Sequence, residues 1–270
     1  MMKNWQKYCR NGRKYEKMSR RSRKGIPDMM RGWAWYQQCG AEAIKQKIPD
    51  PWKIDVSGVS HITVDEVSLR RDIDRTFPMH EMFYEDGGAG QVSLRRVLTW
   101  YAALDPEVGY CQGMGFIAAL LLSYMIEEDA FYCLYAVLTR PSAPLRLLYL
   151  PRMAETQKVL YVFGELGKQH LGRLWLHLEA EGIHYTMYFT EWALTLFSRG
   201  FSFDLVTRVW DVLMNEGSYK IVYRVSLALL KYFEKELLAL KFDRIMALLR
   251  ELPKHVDAHK LMEVSYKLLL

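Results

Sequence analysis

Arg75 ends a short charged segment, Leu69-Arg-Arg-Asp-Ile-Asp-Arg75, in which residues that could do chemistry recur every three positions. On a helix, Leu69, Asp72 and Arg75 would place an apolar anchor, a carboxylate and a guanidinium along one ridge. Asp72 could then hold Arg75 extended. Taken alone, such a pair is more often an ordinary surface ion pair, which contributes little to stability.

Gln112 lies in a second segment of interest, Tyr110-Cys-Gln112, which follows the turn-forming residues 105–109 and precedes an apolar run. A glutamine amide both donates and accepts hydrogen bonds, so it can align a water molecule without changing charge. Phosphoryl transfer requires a positioned nucleophile and positive charge on the γ-phosphate oxygens. A glutamine and an arginine together could supply both, although a lone loop glutamine is more often a simple hydrogen-bonding residue.

These two segments form part of a longer pattern. The run Leu69-Arg-Arg-Asp-Ile-Asp-Arg-Thr-Phe-Pro-Met-His-Glu-Met-Phe83, followed by Gly109-Tyr-Cys-Gln-Gly-Met114, resembles the TBC domain of Rab GTPase-activating proteins. The opening and closing motifs of that family are matched by Gly25-Ile26-Pro27, Arg31-Gly32, Trp35, Glu191-Trp192, Phe197 and Arg208-Val-Trp210-Asp211. The resemblance covers roughly residues 25 to 250.

The resemblance implies a dual-finger mechanism, in which Arg75 matches the arginine finger of the family and Gln112 its glutamine finger. Both would act in trans on a Rab GTPase in its GTP form. Asp72 and Tyr110 match supporting residues, which would orient Arg75 and fix the loop that presents Gln112. The chain would need no cofactor and no metal of its own, because GTP and magnesium would come with the bound Rab.

The sequence departs from the family pattern at three places. Leu69 stands where isoleucine is more frequent, Gly115 where a polar residue is common, and Phe203 in a segment where proline is frequent. None is a finger residue, so these departures bear on local loop shape and Rab choice. Two other functions stay open: a catalytically weak Rab-binding scaffold, and a peripheral membrane adaptor.

Helical periodicity dominates the elements that must position these residues. Thr63 and Glu66 have the spacing of a capping box, which predicts a helix from near Val64 to Pro78 with Arg75 in its last turn. Other apolar series recur at three- and four-residue steps, at Leu205, Val209, Trp210 and Leu213, and at Val222, Val225, Leu229, Leu230, Phe233 and Leu237. We therefore predict an all-α fold.

The resemblance further suggests that the helices form two subdomains that meet in a V. We expect a domain over residues 25–270, with an N-terminal subdomain over about 25–175 and a C-terminal one over about 176–270. The apolar run 116–126 is too short to span a bilayer and predicts a buried helix.

Positive charge is concentrated in residues 1–24, which carry ten Lys or Arg and one Glu, whereas the remaining residues carry a net charge of −3. This basic arm could be a solvated, partly helical lead-in or could contact an anionic membrane surface. No nucleic-acid partner is expected, because the domain itself is not basic.

The four cysteines, at positions 9, 39, 111 and 133, lack the close spacing of a zinc site or a disulfide framework. No secretory leader is recognisable either. These features predict a cytoplasmic protein, with any membrane contact being peripheral.

Overall fold

The computed structural model describes residues 15–57, 66–142 and 144–267. Within these ranges the regular elements are helices and no strand is present, so the predicted all-α fold is confirmed. The α-helices, labelled α1 to α15 in chain order, are Tyr15–Lys24, Arg31–Cys39, Ala41–Lys45, Glu66–Arg75, Ala89–Leu104, Met114–Leu122, Glu127–Thr139, Ala154–His170, Gly172–Ala180, Thr186–Thr195, Phe203–Glu216, Lys220–Tyr232, Glu234–Leu237, Phe242–His255 and Ala258–Lys267. Short 3₁₀ helices lie at Asp28–Met30, Pro51–Lys53 and Leu145–Leu148.

Helix α6 is formed by the longest apolar segment, and all of its residues are buried. It packs against α5, α7 and α10. A helix that is apolar on every side has no face to present to water, so it belongs in the core. The buried helix predicted for this segment is therefore present, and it gives the loop before it a firm support.

Helix α11 is the second central element, with Leu205, Val209, Trp210 and Leu213 all buried as their spacing predicted. It ends at Glu216, and the next residue, Gly217, has a φ of +58°, a left-handed conformation that favours glycine after a helix C-terminus. The next predicted series is divided between α12 and the short α13.

Asp211 on α11 bonds to the segment from Ile26 to Trp35, near the start of the described chain. The Oδ2 atom of Asp211 accepts a hydrogen bond from the backbone N–H of Ile26 at 2.7 Å, and Oδ1 accepts one from Nε1 of Trp35 at 2.9 Å. Nε of Arg31 lies 3.4 Å from Oδ1. The ring of Trp35 also packs against that of Trp210, with centroids 5.7 Å apart.

Helix α1 contains the described half of the basic arm and packs against α11. Met18, Ser19 and Ser22 are buried, and Nδ2 of Asn215 donates a hydrogen bond to Oγ of Ser19 at 2.8 Å. Residues 15–24 are therefore part of the folded domain, whereas residues 1–14 lie outside the described residues. The V shape and a subdomain boundary near residue 175 stay predictions.

Helix α4 carries Arg75 in its last turn, as predicted. The proposed cap at Thr63 and the start near Val64 lie outside the described residues. The helix ends at Arg75 and does not continue to Pro78, because Phe77 adopts a φ of +47° just before the proline. A residue that precedes proline is disfavoured in the α conformation, which explains the early end.

Asp211 makes the stability of the fold dependent on pH. Burial raises the pKa of Asp211 to about 6, although Arg31, the Ile26 N–H and the Trp35 side chain act to lower it. In the unfolded chain the same carboxyl has an ordinary pKa of about 4. Between these two values the folded protein holds a proton that the unfolded chain has released. This difference in proton binding by Asp211 adds to the free energy of unfolding. The added stability is complete below about pH 4 and is lost as the pH rises through about 6.

We expect Asp211→Asn, which cannot titrate, to remove this dependence. Between about pH 4.5 and 7, the free energy of unfolding of the wild type should fall by about 2 kcal/mol relative to that of the variant. Urea denaturation at both pH values measures this difference, with Asp204→Asn, an exposed substitution on the same helix, as the control. If the wild type and Asp211→Asn differ in unfolding free energy by the same amount at both pH values, or if the change has the opposite sign, Asp211 is ionised throughout this pH range.

Candidate functional site

The side chain of Asp72 is buried beneath the last turn of α4, with 3% of its residue surface exposed. Its Oδ1 atom forms an ion pair with Nη2 of Arg75. The side chain of Arg75 is 38% exposed, so the guanidinium is held from below and open to solvent. The three-residue spacing therefore produces the contact expected from the sequence.

The second oxygen of Asp72 bonds to the segment that carries Gln112. Oδ2 accepts a hydrogen bond from the hydroxyl of Tyr110 and another, at 3.1 Å, from the backbone N–H of Gly113. One carboxylate thus contacts the guanidinium on α4 and the residues on both sides of the Cys111–Gln112 dipeptide. Hydrogen bonds to a charged acceptor are among the stronger ones in proteins, so this junction is firm.

Gln112 is exposed, in a tight turn between two anchored residues. The turn is closed by a hydrogen bond of 3.1 Å from the Met114 N–H to the Cys111 carbonyl. Gly113 has a φ of +101°, a conformation that would strain any residue with a side chain. The glycine lets the chain reverse into α6 while its N–H points at Asp72, and the amide of Gln112 is left on the outside.

Tyr110 remains a hydrogen-bond donor over the whole physiological range. Burial, followed by the hydrogen bond and the charge of Asp72, raises the pKa of Tyr110 well above its ordinary value. The hydroxyl therefore keeps its proton and continues to donate it to the carboxylate. Burial also raises the pKa of the Cys111 thiol, and Asp72 acts in the same direction, which favours the neutral thiol in this turn.

The rest of α4 is fixed by packing. Leu69 and Ile73 are buried, and Oγ1 of Thr76 donates a hydrogen bond of 2.6 Å to the Asp72 carbonyl. A Cβ atom added at Gly115 would lie 3.3 Å from Oγ1 of Thr76. This departure from the family pattern therefore lies against the residue that follows α4, and leucine at position 69 keeps the apolar anchor.

A cluster of aromatic rings supports the loop that follows Arg75. The ring of Phe77 lies 5.0 Å from that of Phe203 and 5.8 Å from that of Phe116, measured between centroids. His80 stacks on Phe203 at 5.3 Å. Phe203 is the first residue of α11, so the third departure from the family pattern brings this helix into contact with the loop that follows Arg75.

Two of these contacts were not predicted from the sequence. They are the hydrogen bond from the Gly113 N–H to Asp72 and the stacking of His80 on Phe203. The Tyr110-Cys-Gln112-Gly113 turn carried a signal for the first, because a glycine before a buried helix often adopts a left-handed conformation. No sequence signal pointed to the second contact, which joins residues far apart in the chain.

No group of three or more metal-binding side chains occurs among the residues that the structure describes. Cys39, Cys111 and Cys133 are free thiols. None of the described helices combines the length and the apolar character needed to cross a bilayer.

Comparison with known proteins supplies the family. A family model described as the Rab-GTPase-TBC domain matches residues 28–238. The chain belongs to this family. The matched segment contains the Asp72 junction and all four predicted site residues.

Individual relatives agree with this TBC domain assignment. The human Ecotropic viral integration site 5 protein homolog is 37% identical over 248 residues, a match that covers 90% of this chain and 30% of that protein. The chain thus spans less than a third of the length of this relative. The crystal structure of the Chlamydomonas flagellar RabGAP TBC domain has a TM-score of 0.82 and 28% identity, and the match covers 98% of this chain and 90% of that one.

The TBC domain of Skywalker/TBC1D24 from Drosophila melanogaster, solved in complex with inositol(1,4,5)triphosphate, has a TM-score of 0.72. The match covers 99% of this chain and 95% of that one at 18% identity. At this level of identity the likeness supports the fold alone.

We expect Tyr110→Phe to destabilise the junction without rearranging the core. The change removes one donor from a buried carboxylate and keeps the ring, so the free energy of unfolding should fall by about 1.5–3 kcal/mol. Urea denaturation measures the loss, and Tyr84→Phe, at an exposed tyrosine in the loop after α4, is the matched control. Equal stability of the two variants would mean that the hydroxyl contributes nothing to holding Asp72.

Proposed function

We propose that this TBC domain is a GTPase-activating protein for a Rab-family small GTPase, with Arg75 as its arginine finger and Gln112 as its glutamine finger. The observation that carries the proposal is the junction at Asp72. A single buried carboxylate bonds to the Arg75 guanidinium and to both neighbours of the Cys111–Gln112 dipeptide. An arginine and a glutamine fixed to one another in this way could enter a partner's active site as a unit.

The chemistry asked of Arg75 is electrostatic. In the GTP-bound Rab, charge develops on the β- and γ-phosphate oxygens during hydrolysis, and a planar guanidinium can donate to two of them at once. Removing an arginine supplied in trans costs about 10³ to 10⁵ in rate in the Ras system, which corresponds to about 4–7 kcal/mol of barrier. We expect Arg75 to contribute on this scale.

The unbound site leaves part of Arg75 unsatisfied. Its Nε atom is buried and has no hydrogen-bond acceptor among the described residues. A buried donor without an acceptor is costly, so a modest rotation of the guanidinium toward phosphate oxygens would be favoured once a Rab is bound. Asp72 would keep its contact through Nη2 and limit how far the side chain turns.

Gln112 would position the attacking water in place of the Rab's own switch glutamine. Its amide carries a donor and an acceptor but no charge, so it aligns the nucleophile without acting as a base. Asp72 and Tyr110 act as positioning residues, since neither would touch the nucleotide. GTP and magnesium belong to the Rab, and the domain contributes only side chains.

Contact with a membrane is a second proposal, which concerns location and not catalysis. The described half of the basic arm, α1, carries Lys17, Arg20, Arg21, Arg23 and Lys24. Attraction to an anionic membrane surface would bring a cytoplasmic domain close to membrane-bound Rab proteins. If activation were absent, the scaffold and adaptor functions named above would account for the same fold.

The first test concerns Arg75. Phosphate release from a panel of GTP-loaded Rab proteins should be stimulated by the wild type and reduced by about 10³-fold or more by Arg75→Ala. Arg75→Lys should also be poor, because an ammonium group cannot reproduce the planar fork. Arg173→Ala, at an exposed arginine on α9, controls for loss of charge and should behave like the wild type. Full stimulation by Arg75→Ala would exclude the finger assignment, and binding without stimulation by any variant would favour the scaffold.

The second test concerns Gln112 and separates the two fingers. Gln112→Ala should slow hydrolysis strongly, whereas Gln157→Ala, at an exposed glutamine on α8, should not. A Rab that lacks its own switch glutamine should still respond to the wild-type domain. If that Rab were fully resistant while Arg75 remained essential, the domain would activate through its arginine and rely on the Rab's own glutamine.

A further inference from the structure

Two cysteines that are far apart in the sequence meet inside the fold. Cys39 is the last residue of α2, and Cys133 lies in the middle of α7, 94 positions later. Their Sγ atoms are 3.6 Å apart, close enough for a weak hydrogen bond between the thiols. The remaining approach to the bond length of a disulfide, about 2.0 Å, is within reach of small rotations of both side chains. Only the packing of α2 against α7 creates this pair, which the spacing of the cysteines in the sequence does not indicate.

The two thiols have different electrostatic surroundings. The hydrogen bond with Cys133 lowers the pKa of Cys39, and Arg140 acts in the same direction, against burial. Arg140 is held near Cys39, because its Nη2 atom donates a hydrogen bond of 2.9 Å to the Gln38 carbonyl. Burial raises the pKa of Cys133, and the hydrogen bond with Cys39 and the charge of Asp129 add to this shift. Cys39 is therefore the sulfur that more readily becomes a thiolate, whereas Cys133 keeps its proton.

Cys39 is also the member of the pair that reaches the surface of the domain. It keeps 6% of its surface exposed, whereas Cys133 is fully buried. Both are free thiols, so neither is already engaged in a disulfide. Oxidation of a thiol depends on its thiolate character and on access, and both favour Cys39. So little exposed surface favours a small oxidant such as hydrogen peroxide over a bulky one such as oxidised glutathione.

We propose that Cys39 and Cys133 form an oxidation site, at which hydrogen peroxide converts the two thiols into a disulfide within the native fold. The Cys39 thiolate attacks an oxygen of the peroxide, the O–O bond breaks, and the leaving hydroxide takes up the proton that Cys39 released. The Cys133 sulfur then attacks the sulfenic acid at Cys39, an S–S bond replaces the S–O bond, and water leaves with the Cys133 proton. One peroxide is thus reduced to two waters while the two thiols are oxidised to one disulfide.

The disulfide would join α2 covalently to α7. The segment between the two cysteines contains Asp72, Arg75, Tyr110 and Gln112, so the closed loop would enclose the whole Asp72 junction without touching it. In a reducing compartment the pair would rest as thiols and form the disulfide only under oxidation. The link would be reversible, because a free thiolate can attack either sulfur of a disulfide.

The experiment uses the full chain with Cys9→Ser and Cys111→Ser, which leaves two of the four cysteines, so an intramolecular disulfide can join only positions 39 and 133. The reduced protein is treated with hydrogen peroxide, its remaining thiols are blocked after denaturation, and its mass is measured without reductant. We expect a monomer that has lost two hydrogens and takes up no blocking reagent. Dithiothreitol should restore both thiols. In the wild type, a digest that cuts after Glu127 or Glu128 separates Cys111 from Cys133 and detects the same link without substitutions.

Single variants in the same background test the role of each thiol. In Cys133→Ala the sulfenic acid at Cys39 has no partner, so it should persist and be labelled by dimedone. Cys39→Ala leaves the fully buried thiol, and most of this labelling should be lost. Equal labelling of the two variants would overturn the assignment of Cys39 as the thiol that reacts with peroxide. Circular dichroism checks that each variant is folded.

Urea denaturation tests whether the native fold accommodates the disulfide. The oxidised protein should unfold at a higher urea concentration than the reduced protein, because the cross-link closes a long loop in the unfolded chain. The proposal is overturned if the cross-linked form unfolds at a lower concentration, if peroxide yields only sulfinic acid or intermolecular dimers, or if the link forms only in denaturant. None of these measurements depends on Arg75 or Gln112, so their failure is separate from failure of GTPase activation.

Discussion

Asp72 imposes the central constraint on this domain, because a buried carboxylate must be surrounded by donors. The three donors that satisfy it come from α4, from Tyr110 and from the backbone that opens α6. Removing any one of them would leave part of that carboxylate without its hydrogen-bond donor, which typically costs about 1.5–3 kcal/mol. The position of α4 relative to the turn before α6 is therefore fixed by electrostatics, with the aromatic cluster around Phe77 filling the space beside it. The geometry of the proposed fingers follows from this one requirement.

Asp211 repeats the same arrangement elsewhere in the fold. Each of the two aspartates accepts a hydrogen bond from a backbone N–H and from an aromatic side chain, and each lies beside an arginine. The difference is the exposure of the arginine, since the side chain of Arg31 is 12% exposed and that of Arg75 is 38% exposed. At Asp211 the arrangement closes the fold by tying the start of the domain to α11. At Asp72 the same arrangement leaves the Arg75 guanidinium facing solvent. For that reason Asp72, and not Asp211, belongs to a candidate site.

Much of this arrangement could be predicted locally. The spacing of Leu69, Asp72 and Arg75 predicted a buried anchor and an ion pair on one ridge of α4, and the apolar run after Met114 predicted a buried helix. The end of α4 at Arg75 was harder to predict from the sequence, because it depends on the strained backbone at Phe77. The hydrogen-bond donors to Asp211 and the stacking of His80 on Phe203 could not be predicted from periodicity. These contacts join segments distant in sequence, and only the packing of the helices brings them together.

The proposed fingers also differ from most catalytic groups in what they cannot do. A carboxamide does not ionise and a guanidinium stays protonated, so neither can exchange a proton with a substrate. The hydroxyl of Tyr110 is equally inert, because its environment holds the proton in place. The two proposed fingers would therefore act through charge and hydrogen bonding and not through proton transfer. Regulation of such a protein would have to act on its binding to the partner. It could change where the domain is located, or which nucleotide-bound partner can reach the exposed face of α4.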